Sequence, residues 1–202
     1  MARIPAPSRI TPLRRAALAV TRRLYGRALE PSAVAAHHGG VFWTGLVHES
    51  LVLASPHRLP ASLRDLVTHR VAVVIGCPWC IDFGAMLALR AGLTVERLMA
   101  VPDHATSPLL TPLEKRALAY ADALTATPPT VDDAQVEALR VELGEAGLVE
   151  LTHLVALENH RSRFNHGLGL TAQGFTDATV CALPGVVADD ERTSAAPGTQ
   201  PG

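Results

Sequence analysis

The chain has 202 residues, 48% of them apolar and 18% charged, with a formal net charge of −1. That length and apolar fraction suffice for one well-buried globular unit and exclude a disordered chain. The near-neutral charge is unevenly spread: residues 1–30 hold seven arginines against Glu30 alone, so the remainder is net acidic. Such an arm could touch nucleic acid or acidic lipid. However, Arg14-Arg15 and Arg22-Arg23 share one helical stretch with Leu13, Leu18 and Leu24, which reads as a solvated helix face, so neither partner is expected.

Aromatic residues make up only 4% of the chain, alanine and leucine dominate, and strand alternation and Asn-Gly hairpin signals are missing, so the fold is expected to be all-α. Residues 1–11 are punctuated by proline and read as a flexible N-terminus. Helices are predicted at 12–27, 31–38, 41–54, 62–75, 78–91, 94–101, 111–126, 131–144 and 147–170. Gly39-Gly40, Pro56 and Pro128-Pro129 separate them. The best-marked start is Thr111-Pro112-Leu113-Glu114: a threonine cap, a proline at the first helical position and a glutamate three residues on make a capping box.

The folded domain is expected over 12–183, followed at 184–202 by a tail rich in Pro, Gly, Ser, Thr and acids, which reads as disordered. Arg22-Arg23 is not followed by the apolar run of an export signal, and no segment reaches membrane-spanning length. A cytoplasmic location with no membrane partner is therefore expected. The chain carries no phosphate-binding glycine loop, sequential repeat or nucleophile elbow.

The chemistry is concentrated at Gly76-Cys77-Pro78-Trp79-Cys80. Gly76 can end the preceding helix in a left-handed turn, and Pro78 suits the first turn of the next, so Cys77 falls at a helix N-terminus. There the unpaired N–H groups and the positive end of the helix dipole favour thiolate over thiol. Cys80 lies one turn inside, within reach, as a natural resolving thiol. A zinc site would need more ligands, and Cys181 stands about a hundred residues downstream without a second close pair. A pair that simply packs is the bland alternative. On the incoming helix, Asp65 and His69 lie four apart and share a face, with His69 level with Phe83 across a hairpin turned at Gly76.

Leu63-Arg64-Asp65-Leu66-Val67, Arg70-Val71-Ala72 and Gly76-Cys77-Pro78-Trp79-Cys80-Ile81-Asp82 together resemble the carboxymuconolactone decarboxylase and alkylhydroperoxidase D-like family. Glu158-Asn159-His160-Arg161-Ser162-Arg163-Phe164-Asn165 and Thr111-Pro112-Leu113-Glu114 look like features of a subgroup. The resemblance implies an alkylhydroperoxidase D-like helical bundle that assembles into homo-oligomers. In the peroxidase branch it also implies a Cys-x-x-Cys centre assisted by a glutamate and a histidine.

Carried over, Cys80 attacks the peroxide and Cys77 resolves, whereas the dipole argument favours Cys77 as the more acidic thiol. The family's glutamate is here the shorter Asp65. Its histidine, four residues after the second cysteine, is here Gly84, which leaves His69 as the candidate replacement imidazole.

The expected function is thiol-based reduction of alkyl hydroperoxides with an external dithiol reductant, requiring no flavin, haem or metal. Two alternatives stand beside it. One is a redox-sensing or structural helical oligomer without efficient turnover. The other is a decarboxylase-like lyase using Arg161, Arg163 and His160. The run from Glu158 to Asn165 continues the apolar stripe of Leu151 and Val155, and is read either as a pocket or interface wall or as a plain surface with Glu158 pairing to Arg161 or Ser162.

Overall fold

The computed structural model describes residues 2–176, and all their regular elements are helices. In chain order these are α1 (Pro12–Tyr25), α2 (Glu30–Ala35), α3 (Gly39–Ala54), α4 (Ala61–Ile75), α5 (Pro78–Arg90), α6 (Val95–Met99), α7 (Pro112–Thr125) and α8 (Asp133–Gly167). The all-α expectation therefore holds. The tail expected at 184–202 lies outside the described residues.

Local chemistry accounts for most of the boundaries. Thr11 caps α1 and Pro12 opens it; Thr111 and Glu114 form the expected reciprocal capping box at α7. The two predicted helices, 131–144 and 147–170, follow one another as the two arms of α8, joined at a kink. Gly144 takes φ 70° and ψ 172°, which breaks the helical path and kinks the element between its two arms. A second capping box, Asp132 with Gln135, starts α8.

The main core is built by α4, α7 and α8. Leu63, Leu66, Val67 and Val71 meet Ala117, Leu118 and Ala121 from α7 and Leu139, Leu151 and Val155 from α8, all at most 1% exposed. Each large apolar side chain buried this fully contributes about 1.5–3 kcal/mol.

Polar contacts give the register. At the start of α4, the Arg58 and Leu59 N–H groups donate to Glu150 at 2.6 and 3.1 Å. Midway, Arg70 forks onto Asp122 of α7 at 2.6 and 2.9 Å, and the Tyr120 hydroxyl lies 2.9 Å from that of Thr152. At the far end, Val74, Ile75, Thr125, Arg163, His166 and Gly167 line one open pocket. α4, α7 and the second half of α8 thus run side by side in the same direction.

A smaller cluster lies beyond that end. Val34, Ala72, Cys77, Trp79, Cys80, Ile81 and Leu170 form it. The N-terminal segment is tied there, since the Arg3 N–H donates to the Leu168 carbonyl at 2.8 Å.

α3 differs from the rest: it is strongly apolar, yet only Phe42 is buried, while Val47, Leu51 and Leu53 are 55%, 62% and 69% exposed. Among the described residues, no helix is long and apolar enough to cross a membrane.

Candidate functional site

Gly76 takes φ 73° and ψ 45°, the left-handed conformation that ends α4, and both its N–H and that of Cys77 bond to the Ala72 carbonyl. The chain turns within two residues, so α5 starts at Pro78 with Cys77 as its N-cap, as its sequence predicts. Cys77 and Cys80 are joined as a disulfide, their Cα atoms 5.3 Å apart.

The two sulfurs have different surroundings. Cys77 Sγ accepts the Cys80 N–H at 3.3 Å, which is the capping bond of α5, and Cys77 is fully buried. Cys80 Sγ accepts from Asn165 Nδ2 of α8 at 3.2 Å, and Cys80 keeps 6% exposure. Each sulfur therefore has a donor able to stabilise a thiolate, in addition to the helix dipole. Of the pair, Cys80 is the less completely buried residue.

The pair is roofed by aromatic and strapped contacts. Trp79 stacks on Phe83 at 4.7 Å between centroids, and Phe175 meets Phe83 edge-on at 5.3 Å. The segment 171–176 is held there by Asp82, whose buried carboxylate accepts N–H bonds from Gln173 at 2.8 Å, Phe175 at 3.0 Å and Thr176 at 2.8 Å. Trp79 Nε1 donates to Gln173 Oε1 at 2.6 Å. Asp82 thus satisfies backbone donors over the cysteine helix.

The other predicted residues are placed less directly. His69 is buried on α4 with no hydrogen-bond partner for Nδ1, and burial pushes its imidazole down to about 4, so it is neutral at pH 7. Asp65 is half-buried one turn earlier. Burial raises its carboxyl above the usual range, partly offset by Arg64. No hydrogen bond of the described residues joins either to a cysteine sulfur. At Gly84, where the family pattern has histidine, an added Cβ would meet nothing within 4 Å, so the space is open. Cys181 lies outside the described residues.

The stretch from Glu158 to Asn165 is not a plain surface. Glu158, Ser162 and Asn165 are each at most 3% exposed and lie on one face of α8. Glu158 takes both expected partners, the Ser162 hydroxyl at 2.9 Å and Arg161 Nη1 at 3.3 Å.

The cationic set considered for a lyase is dispersed. Arg161 is bound to Glu49 and Glu158, Arg163 donates to the Thr125 carbonyl and Asn159, and exposed His160 lies against Phe164. Among the described residues, no group of three or more His, Cys, Asp or Glu side chains is arranged to hold a metal ion. What sequence reasoning missed is Asn165 as a partner of Cys80, a contact spanning 85 residues; the only available signal was a polar residue continuing an apolar helical stripe.

Comparison with known proteins agrees with this architecture. Residues 32–123 match the model of the carboxymuconolactone decarboxylase family. The chain is 32% identical over 181 residues to the uncharacterized protein YnjA of Escherichia coli (strain K12), covering 90% of this chain and 97% of that one. Among solved structures, the debrominase Bmp8 is similar with a TM-score of 0.75 at 18% identity, over 87% of this chain and 94% of the other. An alkylhydroperoxidase AhpD core protein from Ralstonia eutropha JMP134 is similar with a TM-score of 0.69 at 16% identity, over 86% and 94%. At these identities the structural likeness is one of fold.

Proposed function

Because this chain belongs to the carboxymuconolactone decarboxylase family, we propose that it is a thiol oxidoreductase that reduces organic hydroperoxides through the Cys77–Cys80 pair. The observation that carries this reading is the arrangement of the two sulfurs: adjacent at a helix N-terminus, each with its own hydrogen-bond donor, and Cys80 less completely buried than Cys77. Cys80 is accordingly the attacking thiolate and Cys77 the resolving thiol.

The thiolate attacks one peroxide oxygen and the O–O bond breaks. Cys80 becomes a sulfenic acid, and the departing alkoxide takes a proton to leave as the alcohol. The Cys77 thiol then attacks the sulfenic sulfur; the disulfide forms and water leaves. An external dithiol, itself oxidised, restores both thiols by exchange. His69, neutral and buried, is available as a proton acceptor but not as a standing cation, and Asp65 is the second candidate in the relay. A reducing, cytoplasmic setting suits a pair that must be reopened each cycle.

The test is multi-turnover consumption of an organic hydroperoxide with dihydrolipoamide, comparing the wild type with Cys77→Ser, Cys80→Ser and His69→Ala. Turnover lost in both cysteine variants supports the peroxidase, and a further large loss in His69→Ala assigns the imidazole its relay role. The fold neighbours include a debrominase as well as an alkylhydroperoxidase core, so the substrate has to be measured on this chain. The open space at Gly84 favours one second reading, a redox sensor that closes its disulfide once. A wild type that forms the disulfide but does not turn over would replace the peroxidase by that sensor.

The same reading includes self-association. α3 is apolar nearly all round, and a helix of that kind is normally covered. A second copy of the chain is the proposed cover.

A further inference from the structure

One cation serves two carboxylates where α3 meets α8. Arg161 presents Nε and Nη2 to the two oxygens of Glu49, the first at 2.8 Å. Only Nη1 remains for Glu158, at 3.3 Å, which is long for a charge-assisted bond. Glu158 is the more deeply buried of the two, and its other oxygen accepts the Ser162 hydroxyl. Ionising a buried carboxyl whose counter-ion is already engaged is costly. In keeping with that, burial pushes Glu158 up to about 7.

Glu158 and the cysteine centre share one buried stripe. Glu158, Ser162 and Asn165 follow one another at spacings of four and three along α8, and Asn165 donates to Cys80 Sγ. Glu158 therefore lies two turns, about 10 Å along α8, from Asn165, whose amide reaches the sulfur at 3.2 Å. At an effective dielectric of about 20, two like charges about 10–13 Å apart shift each other by about one pKa unit.

Other titratable groups on the packed helices are otherwise engaged or differently charged. Asp122 of α7 is held by Arg70, with His104 beside it, and Asp82 of α5 is held by the 173–176 amides. His69 of α4 is neutral, and half-buried Asp65 stands a further turn back along that helix. Glu49 of α3 is compensated by Arg161.

We propose that Glu158 is a positioning residue for the redox centre: the buried carboxylate and the Cys80 thiolate compete for one negative charge along the Glu158–Ser162–Asn165 stripe, so protonation of Glu158 promotes thiolate formation at Cys80. This rests on the assignment of Cys80 as the reactive thiol.

The test reads the thiol without peroxide. In a Cys77→Ser background, the rate of iodoacetamide alkylation at Cys80 is followed against pH, peptide by peptide, by mass spectrometry. Glu158→Gln, which keeps the shape and hydrogen-bonding capacity of the side chain, is expected to lower the Cys80 pKa by about one unit and leave a single titration step. Ser162→Ala, which removes a donor to the carboxylate, is expected to shift it the same way by less, and serves if the first variant does not fold. Unchanged Cys80 titration in a folded variant overturns the coupling, whether or not the protein turns over peroxide. Absence of turnover with the shift present would count against the peroxidase alone.

Discussion

Asn165 gives Cys80 something that no neighbour in sequence could provide. Its amide donates to the sulfur from a different helix, and both groups are buried, so the bond is worth more to a thiolate than to a thiol. Asn165→Leu keeps the bulk and removes the donor. Hydrogen bonds to charged groups contribute about 1.5–3 kcal/mol, so the expected outcome is at least a tenfold lower alkylation rate at Cys80 near neutral pH. An unchanged rate would mean that the helix dipole alone sets its reactivity. Proximity along the chain was enough to pair Cys77 with Cys80, but Asn165 stood in the sequence only as one polar residue in a run whose orientation was open.

At the scale of elements, the α4–α5 junction is the most local feature and α3 the least. Gly76 is needed because its φ of 73° is unfavourable for any residue with a Cβ, although nothing lies within 4 Å of the position a Cβ would take. Gly76→Ala should therefore cost about 1 kcal/mol from the backbone alone and lower the melting temperature by a few degrees. A larger loss would show that the turn also sets the packing of the cysteines. α3 makes the opposite case, since its apolar sequence reads as a core helix while Val47 and Leu51 lie open. Leu51→Glu in combination with Val47→Glu is expected to convert an oligomer to the monomer without loss of helicity, as measured by sedimentation and circular dichroism. A wild type that sediments as a monomer would end the proposal that a second copy covers this helix.

For the whole molecule, two buried groups pull stability in opposite directions with pH. Burial holds His69 at about 4 against an ordinary 6.5, so the unfolded chain binds its proton first and stability is lost as pH falls from about 6.5 to about 4. Burial holds Glu158 at about 7 against an ordinary 4.5, so the folded chain keeps its proton longer and stability is lost as pH rises from about 4.5 to about 7. Between 4.5 and 6.5 the two slopes oppose. His69→Leu removes one of them, and relative to the wild type it should lose on the order of 2 kcal/mol across that window, read from urea midpoints. A pH-independent difference would show that His69 titrates as an exposed imidazole does. The sequence by itself determined what depends on contacts within about four residues: the all-helical class, nearly every helix start and stop, and the placing of Cys77 as a cap with Cys80 one turn on. Only the tertiary structure decided which cysteine is the more deeply buried, that Asn165 donates to Cys80, that Arg161 is shared between Glu49 and Glu158, and that α3 is left open. The Cys80–Asn165 and Glu49–Arg161 contacts join residues 85 and 112 positions apart, and the exposure of α3 depends on what its face meets. Helical periodicity says which residues share a face but not which partner that face will find.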